Sequence, residues 1–220
     1  MGWLFSMSIK DILVRVFSIV VCLTFHELAH GYVAYRLGDD TAKRQGRLSL
    51  NPMSHIDPIG MLCMFIAGIG WAKPVPVNPN YFRMKNKKAG MALVSLAGPL
   101  SNFLMSFVCL LLYYPIFYHT NNVFAIAFCD ILFSVALMGL GLGVFNLIPI
   151  PPLDGSKVIM AFLPTNAVVW IYRNEGYIRF FFLIAVFFGG FSSFVQSGMI
   201  TLLGYMSNAV IWILRLVGIF

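Results

Sequence analysis

Long apolar runs, separated by short polar or proline-rich segments, set the pattern of this chain. The first run extends from about Ser8 to Leu37, with Lys10, Asp11 and Arg15 near its start and Gly38-Asp39-Asp40 as its stop. A second covers about Ala89 to Tyr118, a third about Val123 to Leu147, and a last one Phe194 to Phe220. These runs match the ~20 residues that an α-helix needs to cross a bilayer. Tyr177–Phe188 is also apolar, but Gly189-Gly190 and Ser192-Ser193 cut it short, so a fifth span there is left open. Thr165 to Gly176 reads as a polar connection, and Leu153 to Leu163 as a short helix.

Two segments do not fit a helical period. Between Asp39 and Lys88 lies an apolar stretch, Ile59 to Gly70, that is too short and too glycine-punctuated to span. It leads into Trp71-Ala72-Lys73-Pro74-Val75-Pro76-Val77-Asn78-Pro79, where alternate prolines force extended backbone. A re-entrant or β-hairpin element is expected here, and at membrane depth such backbone must be covered by protein or reached by water. The second segment is Ile148-Pro149-Ile150-Pro151-Pro152, which cannot be helical because proline removes donors and clashes with preceding carbonyls. The predicted fold is therefore an all-α polytopic membrane protein. It has a three-span core over about 8–163 and one or two C-terminal spans over about 176–220, all in one domain, 1–220.

Composition agrees. The chain is 60% hydrophobic and 10% charged, with a mean hydropathy of +0.85, against the roughly 25% charged residues of ordinary soluble domains. The net charge of +7 could suggest nucleic acid. However, the bases sit in loops between apolar runs (Arg36, Lys43, Arg44, Arg47, Lys73, Arg83, Lys85, Lys87, Lys88), the distribution of cytoplasmic loops. A lipid bilayer rather than nucleic acid is the expected environment, with HELAH near the cytoplasmic leaflet. The cysteines Cys22, Cys63, Cys109 and Cys129 are isolated in apolar surroundings and read as packing residues. No cleavable targeting segment is evident.

Against that background one motif changes the picture. His26-Glu27-Leu28-Ala29-His30 closes the first apolar run. An H-E-x-x-H run on a helix puts both imidazoles on one face, one turn apart, within reach of a single metal. Glu27 lies about 100° around the helix from His26, placed to address water at that metal without ligating it. Zinc needs at least one further protein ligand and an open position. Asn146-Leu147-Ile148-Pro149-Ile150-Pro151-Pro152-Leu153-Asp154-Gly155 adds a carboxylate directly after an unwound stretch, and an ionisable group inside an apolar span is a functional hypothesis by default.

Together, HELAH and NLIPIPPLDG resemble the site-2 protease family of intramembrane zinc metalloproteases. The GRLSLNP run from Gly46 to Pro52, the HIDPIG run from His55 to Gly60, GWAKPVPVNP from Gly70 to Pro79 and Ala97-Gly98-Pro99-Leu100-Ser101-Asn102 are similar to runs in compact bacterial members. The resemblance covers about Thr24 to Leu163. It implies one zinc ion held by His26, His30 and Asp154, with Glu27 as general base and Asn146 as a candidate to polarise the scissile carbonyl. Gly98 and Asn102 are either close helix packing with one interhelical hydrogen bond or part of the site. His55 and Asp57 either line the site or shape a loop, and His119 belongs to an exposed turn. Neither a PDZ domain nor a C-terminal nucleotide-sensing domain is expected.

The function expected is an intramembrane zinc metalloprotease for regulated intramembrane proteolysis, multi-pass in the bacterial inner membrane. The resemblance implies single-span regulators or signal-peptide remnants as its substrates. A membrane metal transporter and a non-catalytic membrane-protein binder are the rival readings. The segment around Ile59–Val77 is expected either to capture substrate by strand addition along a Met61–Ile66 strand or to plug the cytoplasmic mouth of the site. Pro74 and Pro76 would blunt one edge of the neighbouring segment, leaving the amides of Val75 and Val77 on the other.

Overall fold

The computed structural model describes residues 8–60 and 72–219. Helix α1 (Ile9–Leu37) begins at a capping box, in which Ser8 and Asp11 each bond the other's backbone amide. It ends at Gly38, whose φ of 112° only glycine adopts without strain. A short helix α2 (Thr41–Arg44) follows. The long helix α3 (Lys87–His119) is capped by Asn86, and α4 (Val123–Asn146) by Asn122. After the proline turn come α5 (Asp154–Met160), α6 (Thr165–Arg173), α7 (Glu175–Phe187) and α8 (Ser192–Leu216).

Among the described residues α1, α3, α4 and α8 are long and apolar enough to cross a membrane. They carry outward-facing apolar side chains such as Leu13, Leu104, Phe124 and Trp212, which lipid rather than water would cover. Inside, Cys22, Leu110, Leu132, Val135, Ala136 and Val210 form one buried cluster that ties the four helices together. The described cysteines Cys22, Cys109 and Cys129 are buried and free, as packing residues should be.

The short apolar run left open in the sequence becomes α7, which is 13 residues long. At 1.5 Å per residue it reaches about 20 Å, less than the ~30 Å hydrocarbon layer. Instead, Phe182 of α7 packs against Ile148 and Leu153, the two ends of the proline turn. The polar connection before α7 also differs from expectation. Residues Thr165–Arg173 form a helix in which Ala167, Val168 and Ile171 make an apolar side, with Val168 buried.

No strand occurs among the described residues. The expected Met61–Ile66 strand falls outside them. Its flanks are joined by an isolated antiparallel bridge between Ile56 and Ala72 and by the Lys73 amide donating to the His55 carbonyl at 2.9 Å.

Candidate metal centre and catalytic carboxylate

Three chain segments that are distant in sequence meet beside the last turns of α1. His26 and His30 occupy one face of α1, with ring centroids 4.6 Å apart. Asp154 is the first residue of α5, delivered there by the proline turn, and its Oδ2 lies 3.0 Å from His26 Nε2 and 3.1 Å from His30 Nε2. All three side chains are buried, with residue exposures of 4%, 8% and 7%. A carboxylate withdrawn from water this far is costly unless paired. Lys157, at 3.7 Å from Oδ1, adds only a distant partner.

The surroundings fit a zinc ion. His30 Nδ1 lies 2.7 Å from the Val94 carbonyl, which can only accept, so Nδ1 carries the proton and a neutral ring leaves Nε2 free to ligate. His26 Nδ1 lies 3.0 Å from the Asn102 side-chain amide nitrogen, while the fully buried Asn102 Oδ1 has no partner among the described residues. Turning that amide end for end presents Oδ1 to an Nδ1–H, the arrangement a ligating His26 needs. Gly98 completes the fit, because a Cβ there would sit 2.5 Å from His30 Nε2 and 2.6 Å from His26 Nε2. α3 can approach the histidines only because this position has no side chain. Two imidazoles and one carboxylate match the donor sets of catalytic zinc.

Glu27, between the histidines, is half-buried and outside this group. Its Oε2 accepts the Val75 backbone N–H at 2.9 Å. The Val75 amide, expected on the donor-bearing edge of an extended segment, is therefore turned toward a side chain of α1. Asn146 ends α4, and its side-chain amide donates to the Leu142 carbonyl one turn back. His55 is a loop brace, with Nε2 2.7 Å from the Ser49 carbonyl, and Asp57 Oδ1 accepts the Ile59 and Gly60 amides in a local turn. His119 ends α3, with Nε2 2.9 Å from the Ile219 carbonyl. Gly155 starts the turn that aims Asp154, since a Cβ there would collide with the Leu147 and Ile148 carbonyls.

Residues 14–189 match the model of Peptidase family M50. The chain belongs to that family. Within M50 it is similar to the provisionally named zinc metalloprotease YwhC of Bacillus subtilis, at 43% identity over 77% of this chain and 78% of that protein. It is also similar to Rip2 of Mycolicibacterium smegmatis, provisionally named a zinc metalloprotease as well, at 32% identity over 70% of this chain and 61% of that one. Zinc metalloprotease MJ0392 of Methanocaldococcus jannaschii is 28% identical over 65% of this chain, which spans 32% of its length. No solved structure is a significant match. The M50 chain is thus a multi-pass membrane zinc metalloprotease of the site-2 protease type, acting on membrane proteins. The transporter and the non-catalytic binder give way to that reading.

Asp39 and Arg47 were not singled out as site residues in the sequence, and the Val75 amide was expected on a strand edge rather than at Glu27. All three join the loop Lys73–Asn78 to its surroundings, and their partners are 39, 26 and 48 residues away in the chain. No local pattern could have signalled them.

Proposed function

We propose that this protein, one membrane-embedded domain over 1–220, hydrolyses peptide bonds within or next to transmembrane segments for regulated intramembrane proteolysis. The observation that carries the reading is the convergence of Asp154 with His26 and His30 of an apolar helix of membrane-spanning length, with Glu27 held beside them. His26, His30 and Asp154 hold the zinc ion, and Glu27 is the general base. Zinc, when bound, supplies Lewis acidity and brings the pKa of water down to about 7. Glu27 takes the proton of the attacking water and delivers it to the leaving amine. Burial of the ligands by α1, α3 and α5 limits the water that reaches the peptide, so the few fixed dipoles count for more. Asn146 is proposed to polarise the scissile carbonyl, supported by its place at the end of α4 directly before the proline turn. Its amide nitrogen carries two hydrogens, one of which goes to the Leu142 carbonyl and the other of which is the one proposed to reach the substrate.

The substrates proposed are single-span regulators or signal-peptide remnants, and the location is the bacterial inner membrane with the zinc nearer the cytoplasmic leaflet. Support comes from the bases Arg36 to Lys88, which flank the metal end of α1. Purified protein reconstituted with a single-span model substrate is expected to cut it at or near the membrane. Activity should be lost to a chelator and restored by zinc. Cleavage of the detached soluble peptide with the membrane-inserted form left whole would overturn the assignment.

Asn102 gives a test of the metal's surroundings. Asn102→Ala is expected to lower zinc affinity by about 10–100-fold, the usual effect of removing a group that orients a ligating histidine. Equilibrium competition with a zinc chelator measures it, and wild-type affinity would rule out an orienting role.

A further inference from the structure

Glu27 is surrounded by an arrangement more elaborate than general-base chemistry requires. The segment Lys73–Asn78 crosses α1 in extended form, and Pro74 and Pro76 leave it only alternate amides. Of these, Val75 N–H donates to Glu27 Oε2 at 2.9 Å. The segment is pinned on both sides of that contact. Before it, Arg47 Nη2 donates to the Lys73 carbonyl at 2.6 Å and the Pro74 carbonyl at 3.2 Å. After it, the Asn78 amide donates to Asp39 Oδ2 at 2.6 Å, while Asp39 Oδ1 accepts the Thr41 amide at 3.0 Å.

Both anchors are charged and buried, Asp39 at 0% and Arg47 at 7% exposure. Neither forms an ion pair among the described residues. Arg47 is directed at two backbone carbonyls of the loop, and Asp39 divides its oxygens between the Asn78 amide and Thr41. Burying a guanidinium against carbonyls alone is a poor route to stability, but it fixes the position of the loop backbone. Gly31, one turn beyond Glu27, allows the close approach, since a Cβ there would lie 3.1 Å from Val75 Cγ1 and 2.8 Å from Leu48 Cδ2.

We propose that Lys73–Asn78 is a strap that positions the catalytic carboxylate through the Val75 amide, with Arg47 and Asp39 as its positioning residues. The proposal rests on Glu27 as general base. A glutamate on a helix has three rotatable side-chain bonds, and an amide on one oxygen selects the orientation in which the other faces the reacting water. A fixed strap pre-organises that orientation before substrate arrives, and a displacement of about 1 Å at such a group can cost on the order of 10²-fold in rate.

The test uses full-length, zinc-loaded protein in proteoliposomes with a single-span model substrate, and reads zinc content, kcat and KM. Val75→Pro deletes the one donor in a segment already extended between prolines. It is expected to lower kcat about 100-fold with KM and zinc content unchanged. Arg47→Ala should lower kcat at least tenfold, and Arg47→Lys, which can still donate to a carbonyl, should recover most of it. In a Glu27→Gln background, Val75→Pro should cause no further loss, since its effect acts through that carboxylate. A rise in KM at constant kcat would show the strap to be a substrate-docking edge, and a rise in kcat would show an inhibitory plug. Loss of zinc would show a part of the metal site. Each of these overturns the proposal, as does unchanged kcat in folded Val75→Pro and Arg47→Ala. If Glu27→Gln itself cleaved at the wild-type rate, the general-base reading would fail instead, independently of what Val75→Pro does.

Discussion

Glu27→Gln is expected to keep about one zinc per chain while lowering turnover by about 10²–10⁴-fold, the usual contribution of a general acid–base group. His26→Ala, His30→Ala and Asp154→Ala are expected to lose the metal and the activity together. The difference follows from geometry. Glu27 lies outside the group in which the imidazole and carboxylate atoms converge, and Gln keeps an oxygen that can still accept the Val75 amide. The substitution therefore removes proton transfer without unseating the strap. Asp154 has the opposite position, within 3.0–3.1 Å of Nε2 of both histidines. On the proposed assignment its removal takes away one ligand and the charge that favours a cation in a buried place. Metal analysis of the purified variants, beside accumulation of uncut substrate on co-expression, separates the two classes. Near wild-type cleavage by Glu27→Gln would sink the assigned mechanism.

Gly98→Ala is expected to empty the zinc site while leaving the helices intact. In an exposed helix interior, Ala is favoured over Gly by about 0.8–1.0 kcal/mol, so on propensity alone the change should stabilise α3. Here the added methyl would stand 2.5–2.6 Å from atoms of both histidine rings, closer than real Cβ contacts come. Neither ring has free space to withdraw into, because His26 also meets Asn102 and His30 meets the Val94 carbonyl, both on α3. Zinc affinity should fall by at least about 100-fold, the upper end of what indirect partners of a ligand contribute. Helix content should be unchanged and thermal stability no lower than that of metal-free wild type. Full zinc content in Gly98→Ala would mean that the helices separate more easily than their packing indicates.

Much of this was open to a reading of the chain. The apolar runs placed α1, α3, α4 and α8 to within a few residues, since a span in lipid must be long, apolar and internally hydrogen-bonded. The prolines of 148–152 announced unwound backbone, and the i, i+4 spacing of His26 and His30 announced a shared face. Asp154 could be matched to them only through resemblance, because it lies 128 residues from His26. α7 stayed open for a different reason. Its composition is that of a span, and only its length and the packing of Phe182 on the proline turn make it a support instead.

The sequence by itself determined the helices, their membrane setting and the identity of the chemical groups, because periodicity, hydropathy and residue type are local properties. Tertiary structure decided which groups meet. It assigned Gly98 to the space beside the histidines, turned the Val75 amide from a strand edge to Glu27, and buried Asp39 and Arg47 as anchors of one loop. These contacts join residues 26 to 48 positions apart or belong to different helices. Hydrogen bonds and steric exclusion act over a few ångströms, so only the folded chain brings such partners within their range.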